Sequence, residues 1–131
     1  MSEENVAAFL ESAACASRGD WEGVTKYTHP DVVFIPQRAP VRGGWNGHDG
    51  LREFGEDNRE TFDLFQVSYP DVRDLGDKVL ALGTVRIRGK GSGAEVEVPS
   101  TIVTEWRDGK MTRFEDFGDV KKALAAVGLE S

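Results

Sequence analysis

The stretch VRIRGKGSGAEVEV, residues 85–98, constrains this chain more than any other, because it specifies its own pairing. A hairpin turning through residues 89–94 sets Arg88 opposite Glu95, Ile87 opposite Val96, Arg86 opposite Glu97 and Val85 opposite Val98. Charges meet opposite charges and apolar side chains meet apolar ones. A slip of one residue would break every pair, so the register is well determined. Asp108-Gly109 is a second turn signal, of the kind that closes a two-residue hairpin. Centring a hairpin there sets Trp106 opposite Met111, Val103 opposite Phe114, and Thr101 opposite Asp116.

Carried across three strands, these registers define two faces. One holds Leu80, Leu82, Thr101, Val103, Phe114 and Asp116, with Arg86, Arg88, Glu95 and Glu97 farther out. The other holds Val85, Ile87, Val96, Val98, Ile102, Trp106, Met111 and Phe117. Both are substantially apolar. One must meet the helices, and the expected cover of the other is a second copy of the chain. Taking the face of Val85, Ile87, Val96, Val98 and Trp106 as the one turned away from the helices, the expected partner is a homodimer through those residues, the registers alone leaving the choice of face open.

The amino-terminal half supplies the helices. Glu3 and Glu4 suit the first turn of a helix starting after Ser2, and Val6, Phe9, Leu10, Ala13 and Ser17 share one face. Gly19 ends that helix. Asp20 caps a short second one, which Pro30 stops, and Val32, Val33, Phe34 and Ile35 read as a strand. Residues 36–47, rich in Pro and Gly, form a loop of about twelve residues, long enough to suggest a functional role. A third helix follows, with Leu51, Phe54, Asn58 and Phe62 at helical spacing, then an alternating strand over 65–72. Asp119 caps a last short helix. The expected architecture is α+β: about three helices on one curved antiparallel sheet.

The chain has 131 residues, 39% hydrophobic and 30% charged, which fits one globular domain over 1–131. Cys15 is the only cysteine, so no internal disulfide forms, and a reducing, cytoplasmic setting is expected. The first twenty residues lack the basic and apolar blocks of a signal peptide, and no apolar run approaches the length of a membrane span. The net charge is −7 and the basic residues form no stripe, which argues against a nucleic-acid partner.

Gly19-Asp20, HPDVVF at 29–34, GHDGLREF at 47–54, LGDKVLALG at 75–83 and WRDGKMTRFEDF at 106–117 occur in an order that resembles the SnoaL-like branch of the nuclear-transport-factor-2-like superfamily. The resemblance spans nearly the whole chain. It implies a cone-shaped, cystatin-like roll with a pocket between helices and the concave sheet face, and frequent dimers through the convex face. It does not specify the reaction, because the superfamily holds isomerases, cyclases, epoxide hydrolases and non-enzymatic modules.

Asp116 is the candidate catalytic residue. The register places it among Leu80, Leu82, Thr101, Val103 and Phe114, where a carboxyl has a raised pKa and serves as acid or base. SnoaL-like cyclases carry a catalytic aspartate at the matching position. They also use a histidine one strand earlier, which this chain lacks. Ketosteroid isomerases resemble it less: their oxyanion-hole tyrosine and aspartic acid fall at Ser12 and Thr101, and their base falls near Pro36. Arg86 matches the arginine of limonene-epoxide-hydrolase-like sites, but Glu97 satisfies it. The expected ligand is a small apolar molecule lined by Ser12, Trp45, Phe54, Asn58, Leu82, Thr101, Val103 and Phe114. Trp45 has two readings, a lid over the pocket or an indole tucked onto the helix layer, and Arg38 and Arg42 read first as solvated loop residues and second as lid cations for an anionic group. His29 and His48 lack the acidic neighbours of a metal set, and no cofactor is implied. Cys15 falls opposite the apolar stripe and reads as an inert thiol. Two functions stay open: an acid/base enzyme using Asp116, and a non-catalytic ligand-binding or dimerisation module.

Overall fold

The computed structural model describes residues 2–37 and 44–129. The elements run α1 (Ser2–Ser17), α2 (Trp21–Thr25), β1 (Thr28–Ile35), β2 (Trp45–Asn46), α3 (Gly47–Thr61), β3 (Phe62–Asp74), β4 (Lys78–Gly89), β5 (Glu95–Arg107), β6 (Lys110–Asp116) and α4 (Val120–Ala126). The strands form one curved mixed sheet in the order β2-β1-β6-β5-β4-β3. All neighbours pair antiparallel except β1 and β6, which run parallel. Local chemistry sets the element ends. The Asp20 carboxylate accepts from the Gly23 backbone N–H at 2.8 Å to start α2, and Asp119 does the same for Lys121 at α4. Asp108 and Gly109 both take positive φ, as a tight two-residue hairpin requires.

The β4–β5 hairpin has the register read from its charges: Arg88 faces Glu95, Ile87 faces Val96, Arg86 faces Glu97 and Val85 faces Val98. The β5–β6 hairpin departs from a straight continuation of its turn. Trp106 faces Met111, but the next pair is Glu105 with Arg113, so Thr112 is an extra residue in β6. Beyond that bulge Val103 faces Glu115, and Ile102 faces Asp116. The one-residue shift turns Phe114 and Asp116 onto the face that carries Ile102, Val98, Val85 and Ile87.

This overturns the expected division of faces. Val85, Ile87 and Val98 line the concave pocket. Trp106 is buried with Phe9, Val79, Ala81, Ile102 and Met111. Only Val96 of the five is well exposed, at 50%. The remaining apolar face is covered from within: Leu80, Leu82 and Val103 pack with Phe117, with Ala123 and Leu124 of α4, and with Val127 just after it. The reason for seating a second copy on Val85, Ile87, Val98 and Trp106 therefore disappears. The sequence reading failed because it carried strict alternation through a bulge and gave α4 no sheet face to cover.

A third core joins α2, α3 and β1. Trp21, Phe34 and Phe54 meet edge to face, with ring centroids 5.1 Å apart for Trp21–Phe54 and 5.0 Å for Phe34–Phe54. Cys15 is buried in this cluster, against the expectation that it lies opposite the apolar stripe. Strand β3 carries a second bulge between Ser68 and Asp71. Gly83 of β4 makes room for it: a Cβ there would run into the Ser68 carbonyl oxygen. Phe65 and Val67 before the bulge, and Tyr69 within it, all reach the concave side.

Candidate functional site

Between the helices and the concave face lies a cavity of about 290 Å³. That is near the small end of ligand sites, which run roughly 300–1,000 Å³. Its wall is built mostly of aromatic and aliphatic side chains: Phe9, Ala13 and Ala16 from α1, Trp21 and Val24 from α2, Phe54 from α3, and the inward residues of β3 to β6. Among the described lining residues only Tyr69 and Asp116 titrate.

Asp116 ends β6 at the mouth of the turn into α4, and its carboxylate is fully engaged. Oδ1 accepts from the backbone N–H of Thr101 at 3.1 Å and of Gly118 at 2.9 Å. Oδ2 accepts from the Ser100 hydroxyl at 2.6 Å. The Gln37 side chain, whose amide donates to the Pro99 carbonyl oxygen, also favours the charged carboxylate. Burial nevertheless pushes the carboxyl above the usual carboxylate range, against the downward pull of the donors Ser100, Gly118, Gln37 and Thr101. Tyr69 stands on β3 with its hydroxyl 2.8 Å from Ser100 Oγ. Burial pushes its phenol well above the ordinary tyrosine value, so it stays neutral. Tyr69, Ser100 and Asp116 thus form a continuous hydrogen-bonded chain along the pocket wall, ending in a half-buried carboxyl.

Of the residues expected at the site, Asp116, Ser12, Phe54 and Phe114 line the cavity. Ser12 turns its hydroxyl to the Phe9 carbonyl oxygen at 2.7 Å, so its polarity is spent within α1. Leu82 and Val103 face α4 instead. Thr101 serves the site through its backbone N–H, while its hydroxyl donates to the Gly118 carbonyl oxygen at 3.3 Å. Trp45 is no lid: it is buried, edge-on to Phe54 at 5.5 Å. Asn58 is buried away from the cavity, beside a smaller hollow behind α3. Arg38 and Arg42 lie outside the described residues.

Sequence reasoning missed Tyr69, Ser100 and Gln37. The alternation of Phe65, Val67 and Tyr69 was visible, but nothing local ties β3 to a face of β5. Among the described residues no group of His, Cys, Asp and Glu is arranged to hold a metal. His48 Nε2 lies 3.0 Å from the Thr28 carbonyl oxygen, and the His29 Nδ1 accepts from the Asp31 backbone N–H. Neither reaches the cavity. No helix of the described residues is long and apolar enough to cross a membrane.

A SnoaL-like domain family matches residues 6–114, well over half of the chain. The chain belongs to the SnoaL-like family. The SnoaL-like chain matches no curated protein, but its fold recurs among solved structures. It is similar to an NTF2-like protein of unknown function from Burkholderia pseudomallei K96243, at TM-score 0.79 and 21% identity, over 93% of this chain and 95% of that one. It is also similar to TerC, co-crystallised with polyporic acid, at TM-score 0.77 and 27% identity over 96% and 97% of the two chains. A candidate polyketide cyclase of Xanthomonas campestris pv. campestris has TM-score 0.74 and 19% identity over 96% and 98%.

Proposed function

We propose that this SnoaL-like chain takes a small, ring-containing apolar molecule into its concave pocket and that Asp116 exchanges a proton with it as acid or base. The observation that carries this reading is a single desolvated carboxyl, with a raised proton affinity, at the wall of an otherwise apolar cavity. A carboxyl whose proton affinity is raised by burial is suited to general acid/base chemistry. The crystallisation of TerC with polyporic acid, at 27% identity, supports a small organic ligand in this fold. The lone buried Cys15 is consistent with work in the cytoplasm.

The second reading, binding without catalysis, is favoured by the same carboxylate's full set of donors, which also holds the β6–α4 turn in place. One experiment separates the two. The protein is incubated in D2O with 2-tetralone, a two-ring ketone, and exchange of its α-protons is followed by NMR. Catalysed exchange that is lost in Asp116→Asn is the expected result. Saturable quenching of Trp21 fluorescence by 2-tetralone without catalysed exchange overturns the acid/base reading in favour of the binding module.

A further inference from the structure

Three protein donors already crowd the oxygens of Asp116, so a ligand exchanges its proton most readily through one of them. The backbone N–H groups of Thr101 and Gly118 cannot pass a proton on, whereas a hydroxyl can both give and accept one. Ser100 is fully buried, and its Oγ touches Asp116 Oδ2 on one side and the Tyr69 hydroxyl on the other, at 2.6 Å and 2.8 Å. Tyr69 lines the cavity while Ser100 does not. We propose that the polar contact offered to the ligand is the Tyr69 hydroxyl, that Ser100 relays between it and Asp116, and that the favoured ligand carries a weakly acidic hydroxyl, an enol or phenol, on its ring system. This inference rests on the acid/base reading above.

The direction of the chain follows from donor counts. An ionised Asp116 can only accept, so Ser100 gives its one proton to Oδ2 and must accept from Tyr69. The phenol proton is then committed inward, and the Tyr69 oxygen faces the cavity as an acceptor. It can take the proton of a ligand hydroxyl. In that step the ligand O–H bond breaks and a new O–H forms on Tyr69. The former Tyr69 proton moves to Ser100, and the former Ser100 proton moves to Asp116 Oδ2. The ligand leaves as its oxyanion and Asp116 becomes neutral; no other reactant enters. With Asp116 protonated the chain runs the other way. The carboxyl donates to Ser100, Ser100 donates to Tyr69, and the phenol O–H points into the cavity as a donor. The groups that face Asp116 are Tyr69 from β3, Ser100 and Thr101 from β5, Gln37 after β1 and Gly118; of these only Tyr69 titrates, and its burial keeps it neutral.

Two probes read this polarity. 2-Naphthol presents a hydroxyl donor, and 2-methoxynaphthalene presents only an acceptor; naphthalene controls for the apolar wall. Affinities are measured by calorimetric titration across the acid range to neutrality, and the Asp116 carboxyl is titrated in the same protein by carbon-13 NMR. The expected result is a 2-naphthol to 2-methoxynaphthalene affinity ratio that rises about tenfold as Asp116 ionises, with the same midpoint as the carboxyl, one hydrogen bond being worth that much. In Tyr69→Phe and in Ser100→Ala, each lacking one oxygen, the ratio becomes independent of pH. Ser100→Ala matters because it leaves Tyr69 in the wall and cuts only the connection. A pH-independent ratio in the wild type, or a retained midpoint in both variants, overturns the relay while leaving the pocket reading intact. Failure of naphthalene itself to bind overturns the pocket reading, and the relay with it.

Discussion

The β4–β5 hairpin and the β5–β6 hairpin share a strand and differ in almost everything else. The first ends in solvent, where Arg86 and Arg88 reach Glu95 and Asp63 across exposed backbone. Charge pairing costs little to build there and declares its register openly. The second is exposed only at its turn and otherwise buried or half-buried, carries an extra residue at Thr112, and delivers Asp116 beside Ile102. What the difference teaches is that legible pairing and functional placement sit at opposite ends of the same strand. A charged ladder advertises itself in the sequence, whereas a bulge is an irregularity whose only trace is the face that later residues occupy.

The sharpest break of this comparison is a pair of crosslinking variants, with an all-or-none outcome. Val103→Cys with Glu115→Cys should oxidise to a disulfide, because the two positions are direct partners. Val103→Cys with Phe114→Cys should not, because Phe114 belongs to the opposite face; gel mobility after mild oxidation distinguishes them. Next comes truncation on β5. Ile102, 2% exposed at the buried end, should lose about 3 kcal/mol as Ile102→Ala. Val96, 50% exposed at the open end, should lose less than about 0.5 kcal/mol as Val96→Ala. Urea denaturation measures both.

A smaller effect isolates the carboxyl. The folded chain keeps a proton on Asp116 at a pH where the unfolded chain has released it, since burial raises the folded value. Stability from this group is therefore full below the unfolded value and falls as pH rises through the folded one. Glu22 and Asp71, held below the usual range by Arg52 and Arg73, contribute with the opposite sign. The difference between wild-type and Asp116→Asn stability curves removes these common contributions and should show only the downward slope. The smallest effect belongs to the open hairpin: Glu95→Gln should leave the denaturation midpoint within error, because exposed ion pairs are screened by water and salt.

Much of the fold was legible because it rests on local or pairwise chemistry. Asp20 and Asp119 announce helix starts, Asp108-Gly109 announces a turn, and the Arg/Glu ladder announces a register. The parallel pairing of β1 with β6 was not legible, since it joins segments far apart in sequence with no charge pattern between them. The site was legible only in its centre. Asp116 stands out as a carboxylate among apolar neighbours, yet its actual neighbours depend on the bulge, so Leu82 and Val103 were placed in the wrong wall. Ser100 and Tyr69 were hidden for another reason: a buried serine and an alternating tyrosine look like ordinary strand residues until a third strand brings them together. Trp45 could be read as a lid or as an indole tucked onto the helices, because its loop is rich in glycine; β2 pairs with β1 and the indole is buried, which is the second of the two.

Gln37 closes the picture from the side of the pocket mouth. Its amide donates to the Pro99 carbonyl oxygen at 2.6 Å and also stabilises the Asp116 carboxylate, just where β1 leaves the sheet. A ligand filling the cavity excludes water from that carboxylate, so occupancy and protonation become two readings of one equilibrium. Loading the pocket near the Asp116 midpoint with naphthalene, which offers no hydrogen bond, then draws a proton from the buffer, and the heat of binding measured in buffers of different ionisation enthalpy reports the fraction of a proton taken up.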